Sequence, residues 1–338
     1  MNFSDYSKEM LPEVEEQILS TIEIDIPPSF PDLKKMMKYH FGWVDGGNQK
    51  NSQGKRIRPL LLMLSSMLCG FDWRKALPGA VAIELLHNFS LIHDDIEDQS
   101  AYRRGRETLW KVFGTAQAIN TGDAMFSLAQ LNMLKLGNKI NKTVGFDTLQ
   151  ILNETCLILT GGQQLDIAFE NNESVSEDDY FVMIGGKTAA LLSASCELGA
   201  VIAQSSNMTR VALRSFGEAI GLAFQAWDDW LGIWGDEQVT GKSTSSDLIS
   251  KKKTLPILYA TNKSTSFKSK FFEEKITEKN LLDFTRMIEE TGAKEYTEKI
   301  AKYYSDIAEK SIRSIDATNK DSQNALIELS GQLIKRNN

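Results

Sequence analysis

The chain has 338 residues, 42% hydrophobic and 25% charged, the balance of a globular protein with a sizeable core rather than of a disordered or fibrous chain. A formal net charge of −7 excludes the broad basic surface of a general nucleic-acid binder, so any polyanion must meet a local cationic cluster. Cys69, Cys156 and Cys196 are scattered and odd in number, which argues against a disulfide framework and for reduced thiols in a cytoplasm.

In chain order, the opening MNFSDYSKEMLPEVEE carries acids early and lacks the basic start and apolar core of a signal peptide, so residues 1–34 read as an N-terminal helical extension of a cytoplasmic protein. Apolar residues at three- and four-residue spacing, as at Ala80, Ile83, Leu86, Phe89 and Ile92, predict a helix that runs to an acidic cluster at 94–98. The same periodicity predicts helices over 115–136, 146–170, 178–204, 208–233 and 280–335, while alternating, strand-like runs are scarce. Breaks are expected at 42–54, 70–73, 103–108, 137–145, 171–177 and 235–253. The fold class is therefore all-α: one helical domain over 1–338, with a motif-bearing core at 35–260 and C-terminal helices over 261–338. Glu84, Lys187 and Glu197 interrupt the apolar stretches before they reach the roughly 18 uncharged residues of a membrane span.

Two segments concentrate aspartate. In HDDIED, Asp94 and Asp98 stand four residues apart at a helix end and so share a face. Such carboxylates repel by roughly 0.2–0.5 kcal/mol unless a hard cation sits between them. Taken alone, these letters are better explained by a solvated acidic helix end. In FQAWDDWLGIWGDE, Asp228 and Asp229 follow an aromatic-rich helix expected to be buried, where a carboxylate needs a partner. Oxygen-only ligation of this kind suits Mg²⁺, and His and Cys are too few and badly spaced for zinc.

Basic residues cluster in GKRIRP (Lys55, Arg56, Arg58), in RRGR (Arg103, Arg104, Arg106) and in GKSTSSDLISKKK (Lys242, Lys251, Lys252, Lys253). Each is an ordinary solvated loop on its own, and a phosphate-binding set when joined to two metal-type clusters.

In order, GKRIRP at 54–59, ELLHNFSLIHDDIED at 84–98, RRGRET at 103–108, GD at 122–123, GGQQLD at 161–166, GKTAAL at 186–191, FQAWDD at 224–229, GK at 241–242 and KKTLP at 252–256 resemble the signatures of the trans-isoprenyl diphosphate synthases, the family of farnesyl and geranylgeranyl diphosphate synthases. The resemblance spans roughly residues 35–260. It implies a helical bundle around a central cavity, in which the two acidic segments serve one site. It also implies an Mg²⁺-dependent prenyltransferase with three ions per site, Mn²⁺ being an alternative, and a homodimer whose partners are isoprenoid diphosphates. Neither nucleic acid nor membrane insertion is expected. The apolar helices 115–136 and 146–160 would supply the dimer interface.

Residue by residue, the resemblance assigns Lys55, Arg58, His87 and Arg104 to the diphosphate of isopentenyl diphosphate. Asp94, Asp98 and Asp228 become metal ligands, and Arg103, Lys187, Gln225, Lys242 and Lys252 grip the allylic diphosphate. Thr188, Gln225 and the carbonyl of Lys187, in a flexible GGKT segment, supply dipoles for a carbocation. Asp95, Gln163, Asp166 and Asp229 orient the ligands. His93 reads as a core or orienting histidine more readily than as a ligand.

Two positions depart from the family pattern: Gly232 stands where a third aspartate is common, with Asp236 as a substitute, and Ser245 where a glycine is common. Phe89, five residues before Asp94, with Ser90 next to it, would floor the channel for the growing tail and favour a twenty-carbon product over a fifteen-carbon one. The rival readings are a class I terpene cyclase, which has no use for the Lys55, Arg58 and His87 cluster, and a non-catalytic subunit of a heteromeric synthase.

Overall fold

A computed structural model describes residues 2–43, 54–170, 172–235 and 246–334. The helices are α1 (Phe3–Asp25), α2 (Pro31–Phe41), α3 (Ile57–Leu68), α4 (Trp73–Glu97), α5 (Leu109–Phe113), α6 (Thr115–Lys139), α7 (Lys142–Glu170), α8 (Glu177–Ile184), α9 (Ala190–Ile202) and α10 (Asn207–Trp234). They continue as α11 (Ser246–Ile249), α12 (Leu255–Lys263), α13 (Thr265–Glu273), α14 (Leu281–Glu290), α15 (Ala293–Arg313) and α16 (Lys320–Ile334). A two-stranded hairpin, β1 (Tyr102–Arg103) and β2 (Arg106–Glu107), pairs antiparallel between α4 and α5. The all-α expectation holds, and the break expected at 103–108 is this hairpin.

The chain divides into two compact units. The first comprises Met1–Cys156, Ala194–Val211 and Asp316–Leu326; the second comprises Leu157–Ser193, Ala212–Ile315 and Ile327–Asn338.

In the first unit α4 is buried on nearly every side, from Ala76 to Leu86 and again at Asn88, Ile92 and Asp95. Asp72 caps it by accepting the Arg74 amide at 3.1 Å. The N-terminal segment is no mere extension: Met10, Val14, Ile18 and Ile22 on α1 are fully buried, a three- and four-residue stripe that joins this core. A buried polar chain crosses the same unit. Arg56, held at φ 48°, donates to Glu15 at 2.6 Å and to Glu84 at 3.0 Å. Glu84 also accepts from Asn88 at 2.9 Å, and Asn88 Oδ1 meets His40 Nε2 at 3.1 Å. Three helices or their ends, α1, α2 and the start of α3, are thereby tied to α4.

The expected break at 137–145 shrinks to Ile140 and Asn141. Gly137 and Gly145 lie inside α6 and α7, where a Cβ on Gly137 would come within 2.5 Å of the Gly145 Cα. These glycines serve close helix packing, not a loop. The long period at 280–335 is also divided, at Gly292 (φ 81°) and again before α16, giving three helices instead of one.

In the second unit α8 continues through a π-helical turn, Gly185–Ala189, into the first turn of α9, whose residues from Ala194 on are counted in the first unit. The stretch Glu177–Ile202 passes a length-and-hydropathy test for a membrane span, but 61% of its apolar window is buried inside the protein, as befits a core helix. Tyr180, Met183 and Ile184 pack with Ala226, Leu255 and Leu258, and a second cluster gathers Ile233, Leu248, Phe267, Phe271 and Phe284.

Candidate active site

In the first unit, three of the four residues assigned to isopentenyl diphosphate come together. Arg58 is in the first turn of α3 rather than in a loop, and its Nη1 lies 3.1 Å from His87 Nε2 on α4. A guanidinium only donates, so His87 accepts with that nitrogen and is neutral. Burial first, then the nearby Arg58, Arg104, Arg103 and Arg56, hold His87 well below its ordinary pKa. Arg104, at φ 52° in the turn between β1 and β2, lays its guanidinium on Gly54, where a Cβ would come within 2.8 Å of it. Lys55 is exposed beside that glycine.

Neighbouring this cluster, α4 ends at the first acidic motif. Asp98 is the C-cap, its amide bonded to the Asp94 carbonyl at 2.9 Å. Arg103 binds two carboxylates at once, Asp95 through Nε at 2.8 Å and Asp94 through Nη2 at 3.1 Å. Asp95 is buried, which raises its pKa to about 6 against the pull of Arg103. Asp94 keeps 20% of its side chain exposed and Asp98 is exposed, so accessibility separates a ligand-type pair from an orienting carboxylate. One turn earlier, Phe89 packs against His93 at 4.8 Å and against Phe126 of α6 at 5.3 Å. Ser90 folds its hydroxyl back onto the His87 carbonyl at 2.8 Å. His93 is set against Gly122, where a Cβ would collide with its Nε2, and 3.5 Å from Asp123.

The second unit holds the other assigned residues. Gly162 on α7 and Gly186 in the π turn let two backbones touch: a Cβ on Gly162 would meet the Lys187 amide, and one on Gly186 would lie 2.8 Å from the Ile158 carbonyl. GGKT is thus a packed, wide helical turn, a form frequent at functional sites. Lys187 forms an ion pair with Asp166, and Gln163, one turn earlier on α7, is half-buried. Thr188 donates to Gln225 Oε1 at 2.8 Å, and Gln225 Nε2 donates to Asp229 at 2.9 Å.

Asp229 is buried and accepts two further bonds, from the Tyr180 hydroxyl at 2.6 Å and the Leu255 amide at 2.9 Å. Burial raises its pKa to about 7, with those three donors opposing. Asp228 beside it is only half-buried. A side chain at Gly232 would strike the Asp247 carboxylate, so Asp247 brings an acid to the spot that the motif lacks. Lys252 is exposed after α11, while Lys253 turns back to the Glu170 carbonyl at 3.2 Å. Asp236, Lys242 and Ser245 lie outside the described residues.

Sequence reasoning missed Tyr180, Phe126 and Asp247. Only Asp247 left a signal, as the acid nearest the lysine run at 251–253.

Among the described residues no three His, Cys, Asp or Glu side chains form a ready-made metal cage. The donor set is instead one of accessible single carboxylates, each next to a carboxylate whose hydrogen bonds already occupy it. That suits Mg²⁺, which takes one or two protein carboxylates and fills its octahedron with water and substrate phosphate.

The polyprenyl synthetase family profile matches residues 47–290. Over 231 residues the chain is 45% identical to the (2E,6E)-farnesyl diphosphate synthase of Mycobacterium tuberculosis, which covers 68% of this chain and 63% of that relative, less than two thirds of its length. It is 35% identical over 287 residues to the geranylgeranyl diphosphate synthase of Saccharolobus solfataricus, covering 84% of this chain and 86% of the relative. The crystal structure of geranylgeranyl pyrophosphate synthetase from Pyrococcus horikoshii superposes with a TM-score of 0.89 at 30% identity, over 99% of this chain and 98% of that one. Motif order, helical architecture and these matches agree, and the chain belongs to the polyprenyl synthetase family of trans-isoprenyl diphosphate synthases.

Proposed function

We propose that this protein condenses isopentenyl diphosphate with an allylic diphosphate (dimethylallyl, geranyl or farnesyl) to give a linear trans-prenyl diphosphate, geranylgeranyl before farnesyl. The observation that carries the reading is the cluster in which the Arg58 and Arg104 guanidiniums gather at a neutral His87. It is a seat for a second diphosphate that a terpene cyclase does not need. A non-catalytic subunit is opposed by the retention of Asp94, Asp95, Asp98, Asp228 and Asp229. Naming of relatives as farnesyl and geranylgeranyl synthases supports the chemistry and leaves both product lengths open.

In this reading Asp94, Asp98 and Asp228 hold Mg²⁺, with Asp247 as the further carboxylate beside Gly232. Bound Mg²⁺ supplies positive charge that lets the allylic diphosphate leave. Lys187, Arg103, Lys242 and Lys252 grip the same diphosphate. The allylic C–O bond breaks with its electron pair on oxygen, the double bond of isopentenyl diphosphate attacks the cation, and a proton is lost to the departing diphosphate. Thr188, Gln225 and the Lys187 carbonyl face the cation with lone pairs; Lys55, Arg58, His87 and Arg104 hold the acceptor in place. Because no protein nucleophile is needed, the fully spoken-for Asp229 fits a holding role.

We further read the protein as one domain working in a cytoplasm, and as a homodimer. The test is incubation of the purified protein with Mg²⁺, isopentenyl diphosphate and each allylic diphosphate in turn, with chain-length analysis of the products. Consumption of isopentenyl diphosphate and a longer linear diphosphate are expected. A cyclic hydrocarbon, or no elongation of any donor, would overturn the reading.

A further inference from the structure

Tyr180 has no role in the assignment above, yet its hydroxyl reaches a carboxylate that the assignment needs. Asp229, 3% exposed, accepts from Tyr180 on α8, from Gln225 on its own helix and from the first amide of α12. Thr254, the N-cap of α12, makes no side-chain cap bond, so Asp229 caps that helix in its stead. One buried carboxylate therefore ties α8, just ahead of Lys187, to α10, which carries Asp228, and to the helix that follows Lys252.

The bonds have a direction. Ionised, as the three donors converging on it favour, Asp229 only accepts, so the Gln225 amide turns its NH₂ toward Asp229 and its Oε1 toward Thr188. Thr188 then spends its one proton on Oε1 at 2.8 Å. Its oxygen can show nothing but lone pairs to whatever else approaches. If the amide flipped, an N–H would face Thr188, and the hydroxyl would be driven to accept there and to aim its hydrogen elsewhere. The lock on the amide is the orientation of Asp229, and the shortest bond fixing it is that of Tyr180, at 2.6 Å. Without that hydroxyl the Oδ2 edge is held by the Leu255 amide alone, and the carboxylate can rotate about Cβ–Cγ.

We propose that Tyr180 is a positioning residue: by orienting Asp229 it fixes the polarity of the chain Tyr180–Asp229–Gln225–Thr188, so that Thr188 and Gln225 offer acceptors, not hydrogens, to an allylic cation. The inference deepens the prenyl-transfer reading and rests on it. Tyr180→Phe keeps the ring and removes the donor. Its kcat is expected to fall about 10- to 100-fold while both KM values stay within about threefold. Incorporation of 3-fluorotyrosine at 180, which keeps the hydroxyl, should restore kcat to within about threefold of wild type. The double variant Tyr180→Phe/Thr188→Val should be no slower than the slower single, as members of one unit behave. Losses that multiply in the double variant, or a lower melting temperature with unchanged kcat, would overturn the proposal. If Tyr180→Phe does not fold, Asp229→Asn carries the test, because a side-chain NH₂ facing Gln225 inverts the chain; an unchanged kcat there overturns it too. Failure of the wild-type protein to elongate any donor would sink the prenyl-transfer reading itself. Wild-type turnover with an indifferent Tyr180→Phe sinks only the wiring.

Discussion

Phe89 stands one turn before His93, tilted against its ring and packed against Phe126 as well. A ring so braced cannot swing aside at low energy, since its neighbours must move with it. If it floors the tail channel, Phe89→Ala opens space below and should shift products to longer chains with initial condensation intact, as chain-length analysis of the variant's products would show. An unchanged product distribution would make Phe89 a core aromatic and nothing more. Gly232 offers a second test at this scale. Gly232→Ala places a methyl where the Asp247 carboxylate now rests. The helix itself gains, by roughly 1 kcal/mol in propensity, so thermal stability should change little, while the displaced carboxylate should raise the Mg²⁺ concentration needed for half-maximal activity by about tenfold or more. A titration of rate against Mg²⁺, paired with a melting curve, separates these two effects.

At the scale of elements, α1, α2, α3 and α4 are joined by the chain Glu15–Arg56–Glu84–Asn88–His40. Burial first, then the nearby Arg104, Arg103 and Arg56, lower the pKa of His40 to about 3 against the opposing pull of the Asn88 acceptor, and leave the ring neutral. The sign follows from linkage: between pH 3 and the ordinary value near 6.5 the unfolded chain binds a proton that the folded one refuses. Stability is therefore full above about pH 6.5 and falls as pH drops, by at most about 1.4 kcal/mol per pH unit for this group. His87, lowered in the same direction, adds to the slope. Melting temperatures from pH 7 to 5 should fall less steeply for His40→Gln than for wild type; equal slopes would show that His40 is not the group being titrated.

The elements also show why some of this was legible from residues and some was not. Helix α4, its acidic end and the basic clusters are local facts, fixed by period and by charge spacing along a few turns. Gly137 and Gly145 were misread as a break because glycine has one letter for two uses, a turn and a close approach of backbones, and only the partner across the gap decides between them. Tyr180 and Asp247 were missed for the same reason: each acts on a residue 49 or 15 positions away, and nothing in a one-dimensional pattern joins tyrosine to aspartate. The π turn at Gly185–Ala189 likewise lies against Gly162 on another helix, a closeness no local pattern records.

At the scale of the whole molecule, the unexplained surface is apolar. Leu131 and Leu134 on α6 are 45% and 48% exposed, and Phe146 at the start of α7 is 69% exposed. Side chains of this size left in water on two consecutive helices lose about 1.5–3 kcal/mol each relative to burial, which a second copy of the chain would recover by covering them. A chain with a net charge of −7 repels itself, so association must come from this apolar area rather than from attraction between copies. Two-fold assembly repeats each contact, and a single pair of substitutions therefore acts twice. Leu131→Glu/Leu134→Glu is expected to convert a dimer to a monomer in sedimentation or light scattering, with the helical circular dichroism of the wild type retained. A wild-type protein that sediments as a monomer at tens of micromolar, or a double variant that remains dimeric, would move the interface off α6.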